Sequence, residues 1–321
     1  MPALPAGGVA QLAIAGAGVE EMETVAKAWG AEFAQEHGLR IDYISVGMGN
    51  GIERLAQGRT NFALTDIPLT QADLIYSNLL QYPLAHDAVI PVANVATSSD
   101  QLRMSGRVLA QVFLGKITFW DAPELRELNP GTVLPHLSIR VLHRLDTSGT
   151  TFVFTYYLSK TSAEWEHAVG IGARVDWPSG DGVRGDDGMA EGLERTAGSI
   201  GYIRSGATNH VPLTQISLRN HEGSFVTANA ASIRAGASAE RFARWSRYEV
   251  LVDEPGRESW PIVNTYFILV ARYPKDPREI ADFIRAIYGA PQLVAGKNLV
   301  PVSGARIVES IDETRVPQGQ H

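Results

Sequence analysis

The residues best suited to chemistry lie between Val141 and Phe154, where the chain reads Val-Leu-His-Arg-Leu-Asp-Thr-Ser-Gly-Thr-Thr-Phe-Val-Phe. Arg144 supplies a forked, permanently charged donor, Ser148 and Thr150 supply hydroxyls, and Gly149 lets backbone come close. The local pattern predicts a strand over 139–142, a loop over 144–149 and a helix over 150–160. The first turn of such a helix has N–H groups with no partner inside the helix, so the four features converge on a small anion. Asp146, two residues from Arg144, is placed to orient the guanidinium.

The same residues also suit a plain capped helix, with Asp146, Thr147 or Ser148 as the cap. A third use is nucleophilic: Ser148 or Thr150 attacking a phosphoester with His86 or Asp66 as base. No GxSxG elbow, P-loop or two-metal carboxylate cluster accompanies them, so neither catalytic residues nor a cofactor are expected. The histidines show no HExxH spacing, and no metal site is expected; Glu164-Trp-Glu-His167 reads as a solvated helix face. His86, beside Asp87, suits a hydrogen-bonded surface histidine or, as the less common case, a group that takes a cation or a polar ligand at a cleft mouth.

The elements that must hold these residues alternate along 321 residues: strand over 11–15, helix over 20–37, strand over 40–45, helix over 51–57 and strand over 62–65. That order predicts parallel α/β layers, which bind ligands beyond the carboxyl ends of their strands. The loops at 16–21, 45–50 and 65–68 fall at such ends, and the Arg144 loop is the fourth. A composition of 45% hydrophobic and 20% charged residues is that of a folded globular chain long enough for two domains. The net charge of −7, with no basic stripe, argues against a nucleic-acid partner. The absence of cysteine removes disulfides and thiolate chemistry. No run approaches the roughly 20 apolar residues of a membrane span, and the opening Met1-Pro-Ala-Leu lacks the pattern of a signal peptide.

Arg144-x-Asp146-x-Ser148-Gly149-Thr150 before an aromatic and aliphatic helix resembles the signature of the PstS family, the phosphate-binding proteins of bacterial phosphate ABC importers. The likeness runs from about residue 12 to about residue 311. In order, it includes Gly16-Ala-Gly18, Asn61-Phe-Ala-Leu-Thr-Asp66-Ile-Pro-Leu69, Phe113-Leu-Gly-Lys-Ile-Thr-Phe-Trp-Asp121, Leu128-Asn-Pro-Gly131, Trp177-Pro-Ser-Gly180, Arg184-Gly-Asp-Asp-Gly188, Gly198-Ser-Ile-Gly-Tyr202 and Trp260-Pro-Ile-Val-Asn-Thr-Tyr-Phe-Ile-Leu269.

The resemblance implies a type II periplasmic binding protein: an α/β fold of two lobes with a central cleft, closing about two hinge crossings. It places lobe I at 1–95 with 255–321, lobe II at 96–254, and the crossings near 91–96 and 250–260. It further implies a periplasmic or otherwise extracytoplasmic monomer that hands a small ligand to an ABC permease. A sensor that kept the fold and lost transport is the alternative. In the family, Asp66 occupies the position of a carboxylate that accepts the proton of a protonated phosphate.

The chain departs from the family pattern in the other half of the pocket. Glu20 and Glu21 stand on the family's Thr-Phe positions, and in Gly47-Met-Gly-Asn-Gly51 Met48 stands on a Ser position, beside Gly49. Met48 also suits a core plug, and both glutamates suit the first turn of a helix. If they face the cleft, a carboxylate about 4 Å from a bound anion at an effective dielectric near 20 costs roughly 4 kcal/mol, or about a thousandfold in affinity. The ligand set expected is therefore Arg144, Asp146, Ser148, Gly149, Thr150, Asp66, Glu20, Glu21, Met48 and Gly49, with phosphate weakened and specificity changed.

Overall fold

The structure, a computed structural model, describes residues 12–36, 38–98, 101–206, 213–238, 250–305 and 307–309. Two sequence-predicted ends, Gln11 and His37, lie outside the described residues.

The first layer follows the predicted alternation. Strand β1 (Leu12–Gly18) leads through a 3-10 turn (Glu20–Met22) into α1 (Glu23–Glu36), then β2 (Leu39–Ser45), α2 (Met48–Ala56), β3 (Phe62–Thr65) and α3 (Gln71–Tyr76). Helix α1 forms because Val25, Ala26, Trp29 and Phe33 recur on one face and are all buried. The segment predicted as a helix from residue 20 thus begins with a tight turn, and α2 starts three residues before the predicted 51. Gly47, at φ 78°, turns the chain into it from a conformation that favours glycine.

Strand β1 lies between β2 and β3 and runs parallel to both, so Gly18, Ser45 and Thr65 end at one edge of the sheet. Gly18 is needed there: a Cβ on it would sit 2.1 Å from the Leu64 carbonyl oxygen, and one on Gly51 would meet Gly18 Cα at 2.8 Å.

The long strand β4 (Leu79–Ala93) leads into β5 (Leu102–Met104), α4 (Gly106–Phe113), α5 (Pro123–Leu128), β6 (Arg140–Arg144), α6 (Gly149–Thr161), α7 (Ala163–Ala168), β7 (Asp181–Val183), α8 (Gly185–Arg195) and β8 (Ser199–Arg204). Next come β9 (Thr214–Arg219), β10 (Phe225–Val226), α9 (Ala230–Ala237), β11 (Val263–Ala271), α10 (Pro277–Gly289), α11 (Pro291–Ala295) and β12 (Val300–Pro301). Strand β6 is parallel to β7 and to β8, so Arg144, Val183 and Arg204 end a second parallel unit.

The sheet path is β2-β1-β3-β11-β4-β8-β6-β7. Strand β4 joins the two units: residues 79–88 pair with β11 and residues 89–93 pair with β8, antiparallel in both cases. The apolar core divides on these same strands. One large cluster holds Ile14, Trp29, Phe62, Ala85, Tyr266 and Phe283; a second holds Ala88, Phe113, Phe154, Tyr202, Trp260 and Val263. Between them lie His86 and Asp87 on β4, in register with Thr265 and Asn264 on β11, and all four are buried. Two large apolar cores, with a small third cluster of Leu55, Ala63, Leu74, Leu79 and Leu269, are thus parted by a polar seam within the α/β fold.

Candidate functional site

Helix α6 starts at Gly149 because Ser148 is extended (φ −147°, ψ 134°), and no side chain caps it. The helix N-terminus is filled from the other parallel unit instead. Gly149 N–H donates to Asp66 Oδ2 at 3.0 Å, and both residues are buried. A carboxylate is a fitting partner for such an end, where free N–H groups and the helix dipole both favour negative charge. The contact is close-packed, since a Cβ on Gly149 would lie 2.2 Å from Asp66 Oδ2. Ser148 and Thr150 are buried on either side of this contact. Thr151, unassigned from sequence, exchanges a 2.8 Å hydrogen bond with Tyr202 Oη.

Arg144 is the last residue of β6 rather than a loop residue, because its register with Val183 extends the strand. Its Nε donates to Asp146 Oδ1 at 2.9 Å and its Nη2 to Asp146 Oδ2, so Asp146 orients it as a fork meets a carboxylate. Asp146 also accepts from Gly185 N–H at 3.0 Å. The third guanidinium nitrogen, Nη1, donates to Asp186. Burial opposes the charge on Arg144, but the carboxylates of Asp146 and Asp186 outweigh it and hold the group above its ordinary range. Burial likewise works against ionised Asp146; the Arg144 and Gly185 donors overcome it and bring its pKa to about 2.

A second arginine continues the charge chain. Arg204 Nε donates to Asp186 Oδ2 at 2.6 Å and its Nη1 to Tyr266 Oη at 3.0 Å, with Asp87 Oδ2 3.8 Å away. Asp87 accepts from Asn264 Nδ2 at 3.1 Å and Tyr266 Oη at 3.2 Å. Burial raises its pKa to about 6 against these donors and Arg204. Asp66 is pushed further, to about 7, first by burial and then by the charge of Glu21, despite N–H donors and Arg204.

The two glutamates separate. Glu20 is exposed, whereas Glu21 is half-buried in the 3-10 turn and close enough for its charge to act on Asp66, Arg204 and Tyr266. Met48 is half-buried at the start of α2 and packs against the first core. Gly49 beside it is exposed, with nothing within 4 Å of the position of a Cβ. His86 does not stand at a cleft mouth: it is 2% exposed inside the sheet, with Nδ1 2.9 Å from Thr265 Oγ1. A β4 residue flanked by β11 and β12 is covered on both edges, which excludes the solvent-facing role expected of it. In the 164–167 segment the two glutamates and His167 are exposed, while Trp165 is buried and donates to Gly170 O.

Sequence reasoning missed Asp186, Arg204, Asp87 as an ion partner, Asn264 and Tyr266. Asp186 stands inside the block Arg184-Gly-Asp-Asp-Gly188 and Arg204 two residues past Gly198-Ser-Ile-Gly-Tyr202, so their positions were in view but their pairing was not. Among the described residues no group of three or more His, Asp and Glu side chains could hold a metal ion. The end of α6 offers backbone N–H groups and the hydroxyls of Ser148 and Thr150 beside these charges. Of the named ionisable side chains around it, five are carboxylates and two are guanidiniums.

The model of the PBP superfamily domain matches residues 5–288. The phosphate-binding protein PstS of Xylella fastidiosa strain 9a5c is 37% identical over 268 residues, covering 82% of this chain and 73% of that protein. PstS of Haemophilus influenzae is 36% identical over 269 residues, covering 82% and 80%. In fold, the chain is similar to the high affinity periplasmic phosphate-binding protein PfluDING bound with phosphate, with TM-score 0.68, 19% identity and 95% and 93% of the two chains covered. It is also similar to a putative phosphate ABC transporter substrate-binding protein with bound phosphate from Clostridium perfringens, with TM-score 0.60, 16% identity and 90% and 99% covered. By these matches over most of its length, the chain belongs to the PstS family of phosphate-binding proteins.

Proposed function

We propose that the chain is an extracytoplasmic solute-binding protein that captures a small polar ligand between two lobes for an ABC permease, with no chemistry of its own. Its PstS relatives are named for binding phosphate, and phosphate is the reference ligand. The lobes are 1–95 with 255–321, and 96–254. The change of core between Ala85 and Ala88 on β4 and between Val263 and Tyr266 on β11 supports crossings on these two strands, before the expected 91–96 and after the expected 250–260.

In this reading the ligand is held by the N–H groups of Gly149 and Thr150, the hydroxyls of Ser148 and Thr150, and the Arg144 fork. One observation carries the specificity: Asp66 accepts the Gly149 N–H at the helix end. An incoming anion must displace or protonate that carboxylate and tolerate Glu21, while Arg144 is already committed to Asp146 and Asp186. Phosphate binding is therefore weakened, and specificity moves toward ligands with a proton or another donor to offer Asp66. Glu20, Met48 and Gly49 stand at the rim in this reading and contribute less than Glu21.

Isothermal titration of phosphate into stripped, folded protein at pH 6 and pH 8 tests this reading. Weak binding, stronger at pH 6, is the expected result. Micromolar or tighter binding at both pH values would refute the weakening. A folded protein silent toward oxyanions, phosphoesters, amines and organic acids would refute solute binding altogether.

A further inference from the structure

The four buried polar residues between the cores are costlier in that place than the aliphatic pairs beside them, since each must keep a hydrogen-bond partner away from water. They pair across the two strands that join the lobes: His86 with Thr265, and Asp87 with Asn264. Tyr266, the next residue on β11, donates to Asp87 and receives from Arg204. Arg204 then reaches Asp186, and Asp186 reaches Arg144 at the head of the ligand loop. A continuous ladder of charge-assisted bonds thus runs from the Arg144 loop to the hinge strands, through residues on β6, α8, β8, β11 and β4.

We infer that Asp186, Arg204 and Tyr266 are positioning residues that tie the Arg144 fork to this polar seam, so that occupancy of the ligand loop and the angle between the lobes are set together. The inference rests on the Arg144 loop being the ligand site.

Its physical basis is the shared use of Asp186. This carboxylate serves both arginines, one through each oxygen. An anion that takes a donor from Arg144 releases one Asp186 oxygen, which strengthens the hold of Asp186 on Arg204 and alters what Arg204 gives to Tyr266 and Asp87. The seam also holds an acceptor with no partner in this arrangement, the buried Oδ1 of Asn264, so a second arrangement of the same groups has a bond to gain. Two arrangements of one network, biased by a ligand at one end and by strand geometry at the other, are what coupling between site and hinge requires.

The chain has no cysteine, so a pair can be introduced for spin labels without other changes. Ala56→Cys on α2 and Glu166→Cys on α7 are exposed positions on opposite lobes. Distance distributions are measured with and without inorganic phosphate in this background and in Tyr266→Phe, Asp186→Asn and Arg204→Gln. Near-ultraviolet circular dichroism confirms folding of each variant. Tyr157→Phe is the control, because it also deletes a buried tyrosine hydroxyl, but one with no partner and outside the ladder.

Tyr266→Phe and Asp186→Asn are expected to lengthen and broaden the ligand-free distance and to weaken phosphate about tenfold, a usual size for coupling between two sites, while Tyr157→Phe does neither. A folded Tyr266→Phe protein with wild-type distances in both states overturns the inference. If the unmutated protein takes up no phosphate, the reference ligand is wrong, and the ligand-free distances alone decide the ladder: unchanged distances in all three variants overturn it, and lengthened ones uphold it.

Discussion

Asp66→Asn is the most informative single change. Asp66 is 6% exposed, and its pKa rises from an ordinary 3.8 to about 7 through burial and the charge of Glu21. A carboxyl whose folded pKa exceeds its unfolded value favours the folded state in full below the unfolded pKa, and that advantage is lost as pH climbs to the folded pKa. Each tenfold difference in proton affinity is worth about 1.4 kcal/mol, so the swing between pH 4 and pH 7 is about 4 kcal/mol. Opening of the cleft would hydrate the carboxylate, which makes this an upper bound. Asparagine keeps an acceptor for the Gly149 N–H, as the neutral carboxyl does at pH 4. The variant should therefore match the parent near pH 4 and exceed its stability by up to about 4 kcal/mol at pH 8.

Urea unfolding followed by tryptophan fluorescence from pH 4 to pH 8.5 reads this directly. Asp87 titrates with the same sign and Asp146 with the opposite sign, so the quantity to plot is the difference between the two proteins. A difference that does not change with pH would refute the claim that a strained, buried carboxylate sits on the α6 helix end.

Glu21→Gln should tighten phosphate binding, since removing one charge from a site this buried is worth on the order of 2 kcal/mol, or about thirtyfold in Kd; titration calorimetry tests it, and Glu20→Gln, at an exposed position, should change Kd by less than about twofold. Gly149→Ala puts a Cβ 2.2 Å from Asp66 Oδ2 and 2.7 Å from its carbonyl oxygen, so a loss of about 1–3 kcal/mol and a weakened ligand site are expected by thermal melting and titration. Arg144→Gln leaves Asp146 and Asp186 without their shared cation and should cost about 3–5 kcal/mol, read by urea unfolding at neutral pH. Gly18→Ala should disturb β1 and β3 together, because the new Cβ meets the Leu64 carbonyl at 2.1 Å; protein that melts at the parental temperature would contradict that geometry.

The Arg144 loop was the most legible part of the molecule, because its information is local. Strand β6, the turn and α6 are consecutive in sequence, and the Arg144–Asp146 fork spans two residues. Element ends were less legible: α2 reaches back to Met48 and β6 forward to Arg144, where pairing with other segments sets the limits. The two glutamates could not be separated from sequence, since one residue of rotation in a 3-10 turn decides which faces Asp66. His86 was misjudged for a related reason. A polar residue in β4 reads as exposed until β11 and β12 close over both its edges.

By itself the sequence determined the α/β layering and the Arg-x-Asp-x-Ser-Gly-Thr loop, which rest on periodicity and on residues near one another in the chain, and the PstS family, which rests on resemblance to known sequences. Tertiary structure alone decided that Asp66 fills the helix end 83 positions away from it, that Asp186 is shared by two arginines, and that a polar seam parts the cores. Charges act through space over a few ångströms in a dry interior, and only the folded path of the chain determines which of them become neighbours.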